Sequence, residues 1–213
     1  MFLSEELITR FKTAIIAASV ALLLVIWSSA SFTFLVLIGA AILAMEWQRI
    51  SDLYDPVKPY YGLLYIALPC LCLILLRNDS VFATMHLLFI VWATDIVAYF
   101  TGKTLGGPKL LPSISPNKTW AGLLGGIGAA ALVAAVFSST TLSTIGMAGW
   151  LLCGAFLAII SQAGDFFASW LKRKADIKDT GTLLPGHGGL MDRVDGLLFA
   201  APAYAIIYGL SHA

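Results

Sequence analysis

Asp192 and Asp195 stand three residues apart with Arg193 between them, at the opening of the last apolar stretch of this 213-residue chain. In a helix that spacing puts both carboxylates on one face. Asp95 lies near the end of one earlier apolar stretch and Asp165 just past the end of another, so three helices bring four carboxylates to one membrane depth. Ionisable groups cost about 2.5–3.5 kcal/mol each at the centre of a spanning helix, so they need a reason to be there. Hard oxygen donors brought together in this way suit Mg²⁺. The alternative is ion pairing with Arg193, Lys172 or Arg173.

Asp165, Ser169, Lys172 and Arg173 recur at i, i+4, i+7 and i+8 over the segment Gly164 to Lys174. One face of a helix leaving the membrane would then carry a carboxylate, a hydroxyl and two cations. That set fits a metal–polyphosphate complex, the carboxylate holding metal and the cations holding phosphate oxygens. Lys178-Asp179-Thr180-Gly181 follows, then Pro185-Gly186-His187-Gly188-Gly189. Glycines so dense exclude a helix interior and let backbone N–H groups turn toward an anion. His187 could act as a general base, a phosphate donor or a loop staple; hydrogen bonding is favoured, because a phosphate nucleophile is already ionised. A second loop carries Ser115-Pro116-Asn117-Lys118-Thr119, expected to open a span with an N-terminus that favours anions. A Pro-led helix start with a snorkelling Lys is the plainer reading of it. Asp95, Tyr99, Gly102 and Gly106 fall on one helix face running into that loop. Gly102-Lys103-Thr104 resembles the tail of a P-loop, but Val97 stands where the first glycine is required and no strand precedes it. His86 is mid-span and reads as a packed or hydrogen-bonded residue, and His212 is terminal and uninformative.

The elements that must position these groups are apolar helices. Hydrophobic residues make up 59% of the chain and charged residues 12%, with a mean hydropathy of +0.88. A soluble domain is about 25% charged, so both a soluble globule and a disordered chain are excluded. Net charge is +1, which gives no basic surface for nucleic acid. Seven apolar segments are placed at about 13–27, 31–47, 60–76, 80–100, 119–137, 143–163 and 190–210. The expected fold is an all-α polytopic membrane bundle of about seven transmembrane helices. It forms a single integral membrane domain over 1–213, with N-terminal helices in 1–79 and chemistry-bearing helices and loops in 80–213. Residues 1–12 suit a short amphipathic interfacial helix. The first apolar stretch runs into the second without a convincing cleavage site and reads as retained. Pro69 and Pro202 are expected as tolerated kinks within spans. Gly122, Gly125, Gly126 and Gly128 suggest close helix packing. The tryptophans fall mostly near span ends, as interface anchors would. Cys70, Cys72 and Cys153 lie in apolar runs and read as packing residues.

With the N-terminus inside, twelve of the thirteen Lys and Arg residues face the cytoplasm and only Arg77 lies outside. A chain of this kind in the cell's inner membrane would present its site to the cytoplasm. A transporter would instead place its acids at the midplane, often in broken helices.

The run Ser169-x-Leu171-Lys172-Arg173-x4-Lys178-Asp179-x-Gly181-x2-Leu184-Pro185-x-His187-Gly188-Gly189-Leu190-x-Asp192-Arg193-Val194-Asp195 resembles the signature of the phosphatidate cytidylyltransferases, or CDP-diacylglycerol synthases. Asp95-x2-Ala98-Tyr99-x2-Gly102-x3-Gly106 and Ser115-Pro116-x-Lys118-Thr119-x2-Gly122 are similar to the same family, and the resemblance covers about residues 90–200. It implies transfer of CMP from CTP to phosphatidate, giving CDP-diacylglycerol and pyrophosphate in phospholipid synthesis. It also implies a polytopic, Mg²⁺-dependent enzyme, with K⁺ implicated at a mixed metal centre and a homodimer among its states. By this resemblance Asp165 and Asp192 are metal ligands with Asp195 in support, and Lys172, Arg173, Lys178 and Arg193 bind phosphates. Asp179 and His187 belong to the same catalytic run. Ser115, Lys118 and Thr119 shape the substrate pocket, with Asp95, Tyr99, Ser169, Gly188 and Gly189 as further substrate-binding positions. Ala121 stands where many members carry an acidic residue, and no role is assigned to it. A CTP-dependent lipid kinase of the polyprenol type would use similar parts to move the γ-phosphoryl group instead.

Overall fold

The computed structural model describes residues 5–137, 144–181 and 188–212. The elements run α1 (Glu5–Trp27), α2 (Ser29–Leu53), α3 (Pro59–Gly62), a π-helical turn (Leu63–Ala67), α4 (Leu68–Asp79), α5 (Val81–Leu105), β1 (Lys109–Leu111), β2 (Ser115–Thr119), α6 (Trp120–Val136), α7 (Gly146–Lys174) and α8 (Met191–His212). Among the described residues, five stretches are long and apolar enough to cross a membrane: Ser29–Leu53, Pro59–Asp79, Val81–Leu105, Gly146–Lys174 and Met191–His212. Ile15–Trp27 and Trp120–Val136 are shorter apolar helices. The seven expected segments therefore correspond to helices, and the chain is a polytopic α-helical membrane protein. The backbone of α1 is helical from Glu5; the amphipathic reading of residues 1–12 rests on side chains outside the described ones.

The helices group into two compact units. One holds the chain up to Val81 together with Leu171–Val194, and the other holds Phe82–Trp170 with the chain from Asp195 onward. The described residues of 171–194 thus belong to the same unit as the N-terminal helices.

In the first unit α1 and α2 meet at Ser28, whose hydroxyl oxygen accepts from the Ser31 amide (3.0 Å) and caps α2. Arg77 is buried and its Nε donates to the Val25 carbonyl. The donor thus answers one of the open carbonyls that every helix leaves in its last turn. The span Pro59–Asp79 contains the π-helical turn immediately before Pro69. Proline has no N–H to give and its ring crowds the carbonyl four residues back, here Tyr65, so a wider turn accommodates it. Gly62 lies against the indole of Trp47, where no larger residue fits.

In the second unit α5 and α6 pack through glycine. A Cβ at Gly122 would lie 2.8 Å from the Ala98 carbonyl oxygen, and one at Gly126 would lie 2.9 Å from that of Thr94. Gly128, expected in the same packing, faces open space. His86 is fully buried, with Nδ1 3.0 Å from the Tyr204 hydroxyl and Trp150 alongside. Trp150 in this unit and Trp47 in the first are buried packing residues and not interface anchors, whereas Trp27 and Trp120 are exposed.

The fifth span begins differently from expectation. Lys118 and Thr119 close a two-stranded antiparallel hairpin, with Lys109 opposite Thr119 and Leu111 opposite Ser115. Thr119 is extended (φ −121°, ψ 158°) and its hydroxyl oxygen accepts from the Gly122 amide at 3.1 Å. It therefore caps α6 from outside, and the helix starts at Trp120.

Candidate active site

Asp165 sits nineteen residues into α7, about 28 Å from its start at 1.5 Å per residue. That length nearly exhausts a hydrocarbon core of about 30 Å. Around it, within the second unit, a polar chain has formed. Lys118 Nζ lies 2.5 Å from Asp165 Oδ2 and donates to Gln162 Oε1 at 2.8 Å. Gln162 Nε2 donates to Asp95 Oδ1 at 3.2 Å. The Ser169 hydroxyl donates to Asp165 Oδ1 at 3.4 Å, as their i,i+4 spacing predicted. Asp195 accepts from the Gly196 amide at 2.8 Å. Asp95, Asp165 and Asp195 lie within electrostatic range of one another, and Lys118 is the cation acting on Asp95 and Asp195 as well. Of these three carboxylates, Asp165 is the one in direct contact with the Lys118 ammonium.

The first unit holds a second polar centre. Lys172 Nζ pairs with Asp192 Oδ1 at 2.6 Å, the two side chains being 16% and 5% exposed. Asp192 Oδ2 accepts from the Thr180 amide (3.0 Å) and the Gly189 amide (3.0 Å), and the Thr180 hydroxyl is 3.1 Å away. Glu46 of α2 accepts from Leu190 N (2.7 Å), Met191 N (2.8 Å) and the Thr180 hydroxyl (2.9 Å). The amides of Gly189, Leu190 and Met191 do turn toward anions, as glycine density suggested. Their anions are the protein's own carboxylates. Gly188 has φ +80° and so needs a glycine, since Asp179 Oδ1 and Asp192 Oδ2 would both lie 3.0 Å from a Cβ there.

The residues expected from sequence thus fall in two groups. Asp95, Lys118, Asp165, Ser169 and Asp195 come together in the second unit, with Thr119 adjoining as a helix cap. Lys172, Thr180, Gly188, Gly189 and Asp192 come together in the first, with Asp179 beside Gly188. Arg173, Lys178 and Arg193 are exposed in the first unit, and Tyr99 and half-buried Ser115 lie in the second. His187 lies outside the described residues. Among the described residues no three His, Cys, Asp or Glu side chains stand close enough together to hold a metal ion.

Two residues of these centres escaped sequence reasoning. Gln162 joins Lys118 to Asp95, and Glu46 anchors the start of α8. Both are polar groups inside apolar helices, so the cost argument that singled out Asp95 applies to them equally.

Apolar helices long enough to cross a membrane, with carboxylates and cations gathered in a polar centre within each unit, define a polytopic membrane protein that keeps charged groups among its helices. Residues 59–211 match the Cytidylyltransferase family, and the chain belongs to that family. It is 44% identical over 178 residues to the phosphatidate cytidylyltransferase of Brucella abortus biovar 1 (strain 9-941), which covers 82% of this chain and 63% of that protein. It is 35% identical over 214 residues to that of Rickettsia bellii (strain RML369-C), covering 97% of this chain and 92% of the relative. Against that of Bacillus subtilis (strain 168) the identity is 34% over 205 residues, covering 94% and 69%. The chain spans somewhat less than two thirds of the length of the Brucella relatives it matches.

Proposed function

We propose that this chain is a phosphatidate cytidylyltransferase, transferring CMP from CTP to phosphatidate and releasing pyrophosphate. What carries the reading is its likeness to proteins of that name, extending over 92% of one of them. The signature from Ser169 to Asp195 supports it, because its cations and carboxylates suit a nucleotide triphosphate.

In this reading a phosphate oxygen of phosphatidate attacks the α-phosphorus of CTP. A P–O bond forms to the lipid, and the bond from the α-phosphorus to the bridging oxygen breaks. The electron pair leaves with pyrophosphate. Catalysis is then mostly positioning and charge neutralisation. Arg173, Lys178 and Arg193, exposed to solvent, are suited to collecting phosphate oxygens. Lys172 and Lys118 are paired with Asp192 and Asp165, so each presents a fixed ammonium.

Mg²⁺ is proposed as the metal, with K⁺ as a further ion by family resemblance. Asp165 and Asp195 are candidate ligands by resemblance, and they lie within electrostatic range of each other and of Asp95 without closing into a three-carboxylate cluster among the described residues. Asp192 is a candidate ligand by resemblance, and its carboxylate is engaged by Lys172 and two amides. When bound, Mg²⁺ would neutralise phosphate charge and polarise the phosphoryl oxygens. The proposed setting is the cytoplasmic face of the inner membrane, where CTP arrives from water and the lipid keeps its tails in the bilayer.

The test is incubation of purified protein with phosphatidate, Mg²⁺ and CTP labelled at either the α- or the γ-phosphorus. α-Label is expected in the lipid product. γ-Label in lipid would mean a kinase, and no nucleotide-dependent product with any divalent metal would exclude both.

A further inference from the structure

Glu46 lies on α2, outside the stretch 59–211 that matches the family, and is 6% exposed. A carboxylate there is costly unless donors replace the water it lost. Those donors all come from the catalytic signature. Oε1 accepts from Leu190 N at 2.7 Å, and Oε2 accepts from Met191 N at 2.8 Å and from the Thr180 hydroxyl at 2.9 Å.

The two amides belong to the beginning of α8. The Leu190 carbonyl accepts the first bonds of that helix, from Arg193 N (2.9 Å) and Val194 N (3.2 Å). The N–H groups of Leu190 and Met191 therefore have no partner within the helix. Glu46 supplies the partner from a different helix, and its charge sits at the favourable positive end of the α8 dipole.

Two signature glycines make room for it. A Cβ at Gly181 or at Gly189 would come within 2.7 Å of Glu46 Oε1, and one at Gly189 would also collide with the Thr180 hydroxyl. The spacing of glycines in the signature is thus explained, in this chain, by a residue that the signature does not contain.

Thr180 links Glu46 to Asp192. Its hydroxyl is 2.9 Å from Glu46 Oε2 and 3.1 Å from Asp192 Oδ2. It has one proton and can donate to only one of them. Asp192 Oδ2 already accepts two amide protons, so the hydroxyl proton goes to Glu46. With its hydroxyl so held, Thr180 keeps its own amide directed at Asp192.

We infer that Glu46 is a positioning residue for the transfer reaction: it clamps Thr180 and the first turn of α8 so that the Asp192 carboxylate stays fixed against Lys172. The kinetic half of this inference rests on the cytidylyltransferase reading, and the structural half does not. Glu46→Gln places an amide NH₂ among donors and removes the charge. Its kcat should fall about 10- to 100-fold, the usual cost of losing a group that orients a catalytic carboxylate. KM for CTP should stay near wild type, because the exposed cations that would gather the nucleotide remain. Thr180→Val should resemble Glu46→Gln, and Thr180→Ser should retain activity. The double variant Glu46→Gln/Thr180→Val should be no worse than either single one, since both break one linkage. Asp52→Asn, on an exposed part of the same helix, should behave as wild type.

Hydrogen exchange at Leu190 and Met191 supplies a readout independent of turnover. Both amides should be protected in wild type and exchange faster in Glu46→Gln. Unchanged protection, wild-type kcat in Glu46→Gln, or additive losses in the double variant would each overturn the inference. An inactive wild type would sink the cytidylyltransferase reading and leave the exchange result to judge Glu46. If Glu46→Gln does not fold, Thr180→Val against Thr180→Ser decides: equal activity in the two overturns the linkage.

Discussion

Asp192 shows how much a single carboxylate can organise. One oxygen pairs with Lys172, and the other takes the amides of Thr180 and Gly189. Asn at this position keeps the shape, removes the charge and turns an NH₂ toward donors. Removing one partner of a buried pair costs about 3–5 kcal/mol. Asp192→Asn is therefore expected to lose turnover while still inserting into membranes, as checked by the labelled-CTP assay on membrane-extracted protein. Near-normal turnover would remove Asp192 from the reaction. Gln162 makes the same kind of point in the second unit. It is 5% exposed and spans Lys118 and Asp95 with its two amide atoms. Gln162→Leu leaves both charged groups without that bridge, and kcat should drop about 10- to 100-fold, as for other residues that orient a ligand group. A wild-type kcat in this variant would show that the bridge does not matter for turnover. Asp165, Asp192 and Asp195 were legible in the sequence because charge is conspicuous in apolar helices. Gln162 and Glu46 carry the same signal and were still missed, because neither lies in a motif and only packing reveals their partners.

At the scale of elements, the approach of α5 to α6 depends on backbone meeting backbone. Gly126 faces the Thr94 carbonyl, which cannot move aside without breaking α5, whereas Gly128 faces open space. Gly126→Leu should thus destabilise the protein by about 1–3 kcal/mol, the range for overpacking a close contact. Gly128→Leu should leave it unchanged. Thermal unfolding of the two variants in the same detergent tests this, and equal midpoints would show that the contact is not tight. The helices themselves were legible, since long apolar runs in a chain so poor in charge have few other uses. What was not legible was the hairpin of β1 and β2. Its strands are three and five residues long, too short for alternation to show. Pro116 lies within β2, and Thr119 ends that strand as the cap of α6, opposite Lys109. The grouping of residues 171–194 with the N-terminal helices was also hidden, because Glu46 is more than a hundred residues away in sequence from Thr180 and Leu190.

For the whole molecule, the distribution of charge predicts an orientation that can be measured. Arg77 is the one cation assigned to the outer side, and it is buried against α1 instead of facing water. The remaining cations, among them Lys109 and Lys118 in the hairpin, Lys172 and Arg173 in the last turn of α7 and Arg193 in the first turn of α8, fall on the side that the positive-inside bias assigns to the cytoplasm. The same side must receive CTP if the proposed reaction is right, because a triphosphate cannot cross the hydrocarbon core. Cys70, Cys72 and Cys153 are all free thiols, so they can be replaced by alanine to give a background for single-cysteine labelling. In that background Asn117→Cys, in the exposed hairpin, is expected to react with a membrane-impermeant maleimide in inverted vesicles and not in intact cells. Ser80→Cys, between α4 and α5, is expected to show the opposite pattern. Reaction of both from one side would break the assumption that the span Val81–Leu105 crosses the membrane. Reversal of both would put the carboxylates and cations on the face that CTP does not reach, and the proposed chemistry would then have no nucleotide to use.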